Sequence, residues 1–199
     1  MEIIFATANP NKLREVQDIL NENFLLHTPL EYDITEDIPE TGDTLRENAL
    51  QKARYIYQRT GMNCFADDTG LEVECLGGEP GVFSARYAGE QKSSKDNMEL
   101  LLSKMRGYSN RKARFRCVIA LILGKEEYLF EGIVNGHITA KPSGEHGFGY
   151  DPVFIPDGYD ITFAQMSENE KNRISHRAIA MNRLTCFLTS QPHSERDDC

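Results

Sequence analysis

Two long runs, residues 113–123 and 128–139, are separated only by the polar turn 124–127. Both are rich in β-branched and aromatic residues and too long and too β-rich for helices. A connection that short joins antiparallel neighbours, so the chain commits its middle to one long hairpin. Around the hairpin, strand and helix signals alternate. Residues 2–8 (EIIFATA) are an apolar first strand. A helix follows, with Asn9 as cap, Pro10 at its first position, and Leu13, Val16, Ile19 and Leu20 along one face. Another strand falls near 24–28, and 29–42 read as loop. Thr44 and Glu47 have capping-box spacing ahead of a helix through Ala49, Leu50, Ala53 and Ile56 that Gly61 stops. Short strands at 64–66 and 71–73 flank an acidic turn, Asp67-Asp68-Thr69-Gly70. Residues 77–93 read as loop, 95–105 as a helix with Met98, Leu101, Leu102 and Met105 inward, 141–160 as a Gly/Pro-rich loop, and 175–190 as a last amphipathic helix. The pattern predicts an α/β or α+β fold with a mixed sheet, a single domain over 1–190, and a disordered tail at 191–199.

Charge narrows the partners. The 199 residues carry a formal net charge of −9. An acidic surface repels nucleic-acid backbones and anionic membranes, so no nucleic acid and no membrane is expected as partner, and phosphate chemistry has to rest on local cations. The five cysteines, Cys64, Cys75, Cys117, Cys186 and Cys199, include no CxxC pair, which argues against a zinc ribbon or disulfide framework. No apolar run approaches the ~18 residues of a membrane helix, and the first residues lack a basic leader. The expected location is cytoplasmic.

Several segments carry residues fit for chemistry. Thr7, Ala8, Asn9, Pro10, Asn11 and Lys12 lie between strand and helix, where a helix N-terminus suits phosphate and Lys12 adds a charge; the bland alternative is a solvated turn. No Walker loop is present. Adjacent Asp67 and Asp68 could hold Mg²⁺ with phosphate oxygens, or activate water, or simply form a turn. Glu40-Thr41-Gly42 precedes the helix carrying Glu47, Asn48 and Lys52; five residues past Glu47, Lys52 is poorly spaced for an intrahelical pair and free to serve something else. In Phe148-Gly149-Tyr150-Asp151, glycines allow close backbone approach and Phe148 is the better candidate for base stacking, whereas Tyr150 and Phe154 read as core. Ser175 can cap the last helix, which puts His176 and Arg177 in its first turn; cations there oppose the helix dipole and call for a compensating anion or polar ligand, with Lys171 nearby. The loop 78–87 reads as structural, with Arg86 a possible ligand or interface group.

Taken in order, TANPNK, ETG, ENALQKA, ADDTGLEV, GEPGVFSARY, FGYDPVF and EKNRISHR resemble the ITPase family of noncanonical purine nucleoside triphosphate pyrophosphatases, the XTP/dITP diphosphatases. The resemblance spans roughly residues 3–190. It implies an elongated two-lobed α/β fold with a long central mixed sheet, a nucleotide cleft between the lobes, a homodimer and Mg²⁺ dependence. By position it implies that Thr7, Ala8, Asn9, Pro10, Asn11 and Lys12 bind the triphosphate, that Lys52 faces the phosphates, and that Glu40 and Asp68 serve the metal, with Asp68 also the general base. Thr69 would meet the substrate, Phe148, Gly149, Tyr150 and Asp151 would line base and sugar, and Lys171, His176 and Arg177 would complete the pocket. The chain departs from the family pattern at Ala8, where Gly is usual and a positive φ would strain Ala, and at Thr69, which keeps the hydroxyl of the commoner Ser. The implied reaction yields monophosphate and pyrophosphate from ITP, dITP or XTP. A related pyrophosphatase for modified pyrimidine or methylated nucleotides, a non-catalytic nucleotide-binding module and a phosphomonoesterase are the rival readings.

Overall fold

The computed structural model describes residues 1–20 and 24–190. The tail expectation for 191–199 lies outside the described residues. Six strands form one mixed sheet: β1 (Glu2–Phe5), β2 (Leu25–His27), β3 (Cys64–Val73), β4 (Lys112–Leu123), β5 (Glu126–Ile138) and β6 (Phe154–Pro156), in the order β2-β1-β3-β4-β5-β6. β1 pairs in parallel with β2 and β3; the other neighbours are antiparallel. The hairpin expected from the two long runs is β4–β5, in continuous register from Lys112↔His137 to Leu123↔Glu126.

The helices are α1 (Pro10–Ile19), α2 (Leu45–Thr60), α3 (Ser94–Lys104), α4 (Glu168–Ile174) and α5 (His176–Ser190). Their ends carry the expected chemistry. The Asn9 side chain accepts from the N–H groups of Asn11 and Lys12 and caps α1. Thr44 and Glu47 cap α2 reciprocally, and Gly61, at φ 67°, ends it in the left-handed conformation.

Three expectations need correction. The acidic segment 67–70 is not a turn: β3 runs unbroken through it, and Asp67, Asp68, Thr69 and Gly70 pair with Ile119, Val118, Cys117 and Arg116. Ladder pairing with β4 outweighs the turn preference of Asp and Gly. Residues 141–160 contain the edge strand β6, and a separate short helix, α4, precedes α5. Short 3-10 turns at Pro29–Tyr32 and Gly81–Arg86 interrupt stretches read as loop. Among the described residues, no helix is long and apolar enough to cross a membrane.

Strand alternation sorts the core. On one face of the sheet, Ile4, Cys64, Ala66, Val118, Ala120 and Ile122 pack against α2 through Ala49, Ala53 and Ile56. On the other, Ile3, Phe5, Phe65, Cys117, Ile119 and Leu121 pack against Val16 of α1 and Ala180, Met181 and Leu184 of α5. Further along the hairpin a separate cluster forms the second lobe, with Leu71, Val73, Phe115, Tyr150, Phe154 and Phe163. β3 passes from one lobe to the other, and Asp67, Asp68 and Thr69 lie at the crossing.

Candidate active site

Because side chains alternate along β3, Asp67 and Asp68 leave the strand on opposite faces. Asp68 turns toward α2. Lys52 lies on the buried stripe of that helix with Leu45, Ala49 and Ile56. Its Nζ donates to Asp68 Oδ1 at 3.3 Å and forms a short contact with Glu40 Oε1. Glu40 is carried by a turn pinned to α2: Gln51 accepts from the Thr41 N–H at 2.9 Å and Asn48 from the Gly42 N–H at 2.8 Å. The Asn48 amide also donates to Asp68 Oδ2 at 3.2 Å, and Arg86 lies 3.9 Å from Glu40. Glu40 and Asp68 therefore flank one ammonium with oxygens of the hard type that Mg²⁺ takes alongside phosphate oxygens. Among the described residues, no group of three or more His, Cys, Asp or Glu side chains could hold a metal ion alone. The donor set fits a cation that shares its shell with a bound phosphate.

Asp67 turns toward α1 and α5. Lys12 Nζ reaches its Oδ1 at 3.0 Å, and Arg177 Nη2 its Oδ2 at 3.0 Å. Arg177 and Lys171 also converge on Glu15, Lys171 at 2.6 Å, and Lys171 is bound at 2.6 Å by Asp151. Asp151 accepts from the Phe148 N–H at 2.8 Å, which holds the aromatic loop over the cations: the Phe148 ring centre lies 4.9 Å from Lys171 Nζ. Gly147, at φ 72°, makes this turn possible, since a side chain there would collide with the Asp151 carboxylate. Gly132 does the same for α5, because a Cβ on it would strike the His176 carbonyl; its absence lets the helix start seat on β5.

Ser175 caps α5 through the Ala178 N–H, as its position predicted. His176 is buried and stacks on Phe115 with centroids 4.7 Å apart; its Nδ1 has no hydrogen-bond partner among the described residues. At this helix start Asp67 and Glu15 supply anions that offset Arg177. Thr7 is half-buried and accepts from the Asn9 N–H. Ala8 and Asn11 are exposed. Ala8 is not left-handed: among described residues other than glycine, only Asp33 and Lys92 have positive φ. Tyr150 is core, its hydroxyl donating to the Ser84 carbonyl at 3.0 Å. Ser84 accepts from the Leu71 N–H at 2.9 Å and is structural, as expected.

These surroundings set the charges. Burial would raise the Asp67 carboxyl, but Lys12, Arg177 and Lys52 together hold it well below the usual carboxylate range. Burial raises Asp68, and the opposing pull of Lys52 and Lys12 is itself offset by Glu40 and Asp67. Burial would lower Lys52, yet Asp68, Glu40 and Asp67 raise it and keep it charged. Burial pushes His176 far below its ordinary value, helped by Arg177 and Lys171, so the imidazole is neutral. Glu15 was not singled out from the sequence, and Asp67 only as half of an acidic pair that could hold Mg²⁺, activate water or form a turn. Glu15 follows Lys12 by three positions on the stripe of α1 that also carries Val16, a charged residue on a buried face.

Fold and site together define a two-lobed α/β protein whose crossing strand gathers lysines and carboxylates where a polyanion and its counter-ion could meet. The chain belongs to the Ham1 family, whose model matches residues 3–187. It is 49% identical over 188 residues to a dITP/XTP pyrophosphatase of Flavobacterium psychrophilum, covering 94% of this chain and 99% of the relative. To the dITP/XTP pyrophosphatase of Bacillus subtilis it is 46% identical over 191 residues, covering 94% and 96%. Among solved structures, the Ham1 protein of Staphylococcus aureus superposes with a TM-score of 0.87 at 41% identity over 95% of this chain and 98% of that one. A HAM1 protein from Coxiella burnetii gives 0.89 at 38% identity over 96% and 100%.

Proposed function

We propose that this protein hydrolyses dITP, XTP and ITP to the monophosphate and pyrophosphate, and so clears deaminated purine nucleotides from the precursor pool. The observation that carries the reading is the Asp68–Lys52–Glu40 cluster at the lobe crossing, in a chain about half identical to proteins named for this reaction. A binding module would have little use for a carboxylate held at a raised pKa beside a lysine.

Water attacks the α-phosphorus, Asp68 takes its proton, and the α–β bridging P–O bond breaks with pyrophosphate leaving. Lys12 and Lys52 neutralise the triphosphate and the charge that builds on the leaving group. Mg²⁺, which Glu40 and Asp68 would hold, supplies further neutralisation of the phosphate oxygens when bound. Thr7, Ala8, Asn9, Pro10 and Asn11 shape the phosphate end, and Thr69 offers a hydroxyl. At the other end Phe148 stacks on the base, while Gly149, Tyr150 and Asp151 fix its loop. Lys171, Arg177 and neutral His176 present donors to the purine six-oxygen that adenine lacks. A polar mismatch of that kind discriminates by ~10⁴-fold in kcat/KM. The family resemblance supports a homodimer, and a role in the nucleotide pool suits a cytoplasmic location.

The test is a panel of dITP, XTP, ITP, GTP and ATP with Mg²⁺. Turnover of the first three with little from GTP and ATP is expected. Tight binding without turnover would favour a sensor, and turnover of ATP at a similar rate would refute the six-oxo pocket.

A further inference from the structure

Asp67 has no reacting role in this mechanism, yet side chains of α1, α5, β3 and, through Cys117 Sγ at 3.9 Å, β4 converge on it. It is buried, and each of its oxygens faces a protein donor. Its Oδ1 accepts from Lys12 of α1 at 3.0 Å. Its Oδ2 accepts from Arg177 of α5 through Nε at 3.1 Å and Nη2 at 3.0 Å, and from Thr69 of β3 at 3.2 Å. Arg177 donates to the Thr69 hydroxyl at 3.2 Å as well. Beyond Arg177 the contacts continue through Glu15 and Lys171 to Asp151, which holds the Phe148 N–H. One unbroken run of polar contacts, buried at its middle, thus joins the aromatic loop to Lys12.

We propose that Asp67 is a positioning residue that yokes the nucleobase end of the site to the triphosphate end. Both of its oxygens are taken, and its backbone is held in β3 by the pairing of Asp67 with Ile119 of β4. A shift of Arg177 toward a base turns the shared carboxylate, and Lys12, held on the other oxygen, moves with it. A six-oxo base that engages Arg177 therefore places the phosphate chain in line for attack, and a base that does not engage it does not. Selectivity then resides in kcat more than in KM, as expected when base contacts serve orientation.

The inference rests on the pyrophosphatase reading, and the experiment separates the two. Kinetics of ITP and ATP are measured for the unmodified enzyme, Asp67→Asn and Asp67→Glu. In Asp67→Asn, kcat for ITP falls by about 100-fold with KM nearly unchanged, ATP falls far less, and the ITP-to-ATP ratio in kcat collapses by about tenfold or more. Asp67→Glu restores part of that ratio. A purely structural ion pair would lower both rates by one factor and leave the ratio intact, which overturns the proposal. Should Asp67→Asn not fold, calorimetry on the unmodified enzyme decides. Inorganic tripolyphosphate tightens the binding of inosine by about fivefold or more if the yoke exists. Inosine binding that is unchanged or undetectable with tripolyphosphate overturns it. An unmodified enzyme that leaves ITP intact refutes the function, while the linkage between inosine and tripolyphosphate still reports on the yoke.

Discussion

Asp67 and Asp68 are the same residue type, adjacent on one strand, and differ in almost everything else. Asp67 faces α1 and α5, where Lys12 and Arg177 saturate it, and its carboxyl is held far below the ordinary range. Asp68 faces α2, shares Lys52 with Glu40, and is pushed upward by burial. The first is a fixed anion that organises cations. The second is a carboxylate with proton affinity to spare. The two-residue period of a β-strand creates the division, because one step along the chain exchanges one protein face for the other.

The largest expected effect falls on the Asp68 side. Asp68→Asn loses kcat on the order of 10³-fold while nucleotide binding persists, measured by steady-state kinetics and calorimetry. Its stability changes little, because Lys52 keeps Glu40. Near-normal turnover in this variant would break the comparison. Asp67→Asn shows the reverse weighting in stability. It removes the carboxylate that half-buried Lys12 and buried Arg177 share, leaves Arg177 only Glu15, and costs about 3–5 kcal/mol in denaturant unfolding. A loss below about 1 kcal/mol would mean that the cations find other partners.

Glu15→Gln removes a carboxylate shared by Lys171 and Arg177 but leaves each with another. It should cost about 1–3 kcal/mol, less than the Asp67 change. His176 sets a pH dependence. Its folded-state pKa lies well below its ordinary value, so as pH falls through about 6.5 the unfolded chain takes up a proton that the folded chain refuses. Stability falls by up to about 1.4 kcal/mol per pH unit until the folded value is reached. Asp68 and Asp151, whose pKa values are raised by burial, act in the opposite sense, and the lowered Glu15, Glu40 and Asp67 matter only at more acidic pH. The difference between the unmodified protein and His176→Phe isolates the imidazole; parallel curves would show that it titrates normally. The smallest effect is at Ala8. With no positive φ to relieve, Ala8→Gly lowers stability by less than about 1 kcal/mol, and a gain in stability would reveal strain there.

The same division shows what a sequence displays and what it conceals. The hairpin, the caps at Asn9, Thr44 and Ser175 and the stop at Gly61 were legible because each depends on residues a few positions apart. The continuity of β3 was not, since Asp-Asp-Thr-Gly prefers a turn until β4 supplies a ladder. Motif order carried the resemblance to the family and drew attention to Asp68, Lys52, Lys171 and Arg177. The partnership of Lys171 and Arg177 with Glu15 was hidden because they lie 156 and 162 residues away along the chain, and no local spacing encodes those pairs. Asp67 was visible as half of an acidic doublet, but only the strand's alternation gives each half its own neighbours.

The central claim is attack on the α-phosphorus by a water that Asp68 deprotonates. Hydrolysis of dITP in ¹⁸O-labelled water, followed by mass spectrometry of both products, tests it directly. The account predicts the heavy oxygen in dIMP and unlabelled pyrophosphate. Label in pyrophosphate, or release of dIDP with inorganic phosphate, would contradict it.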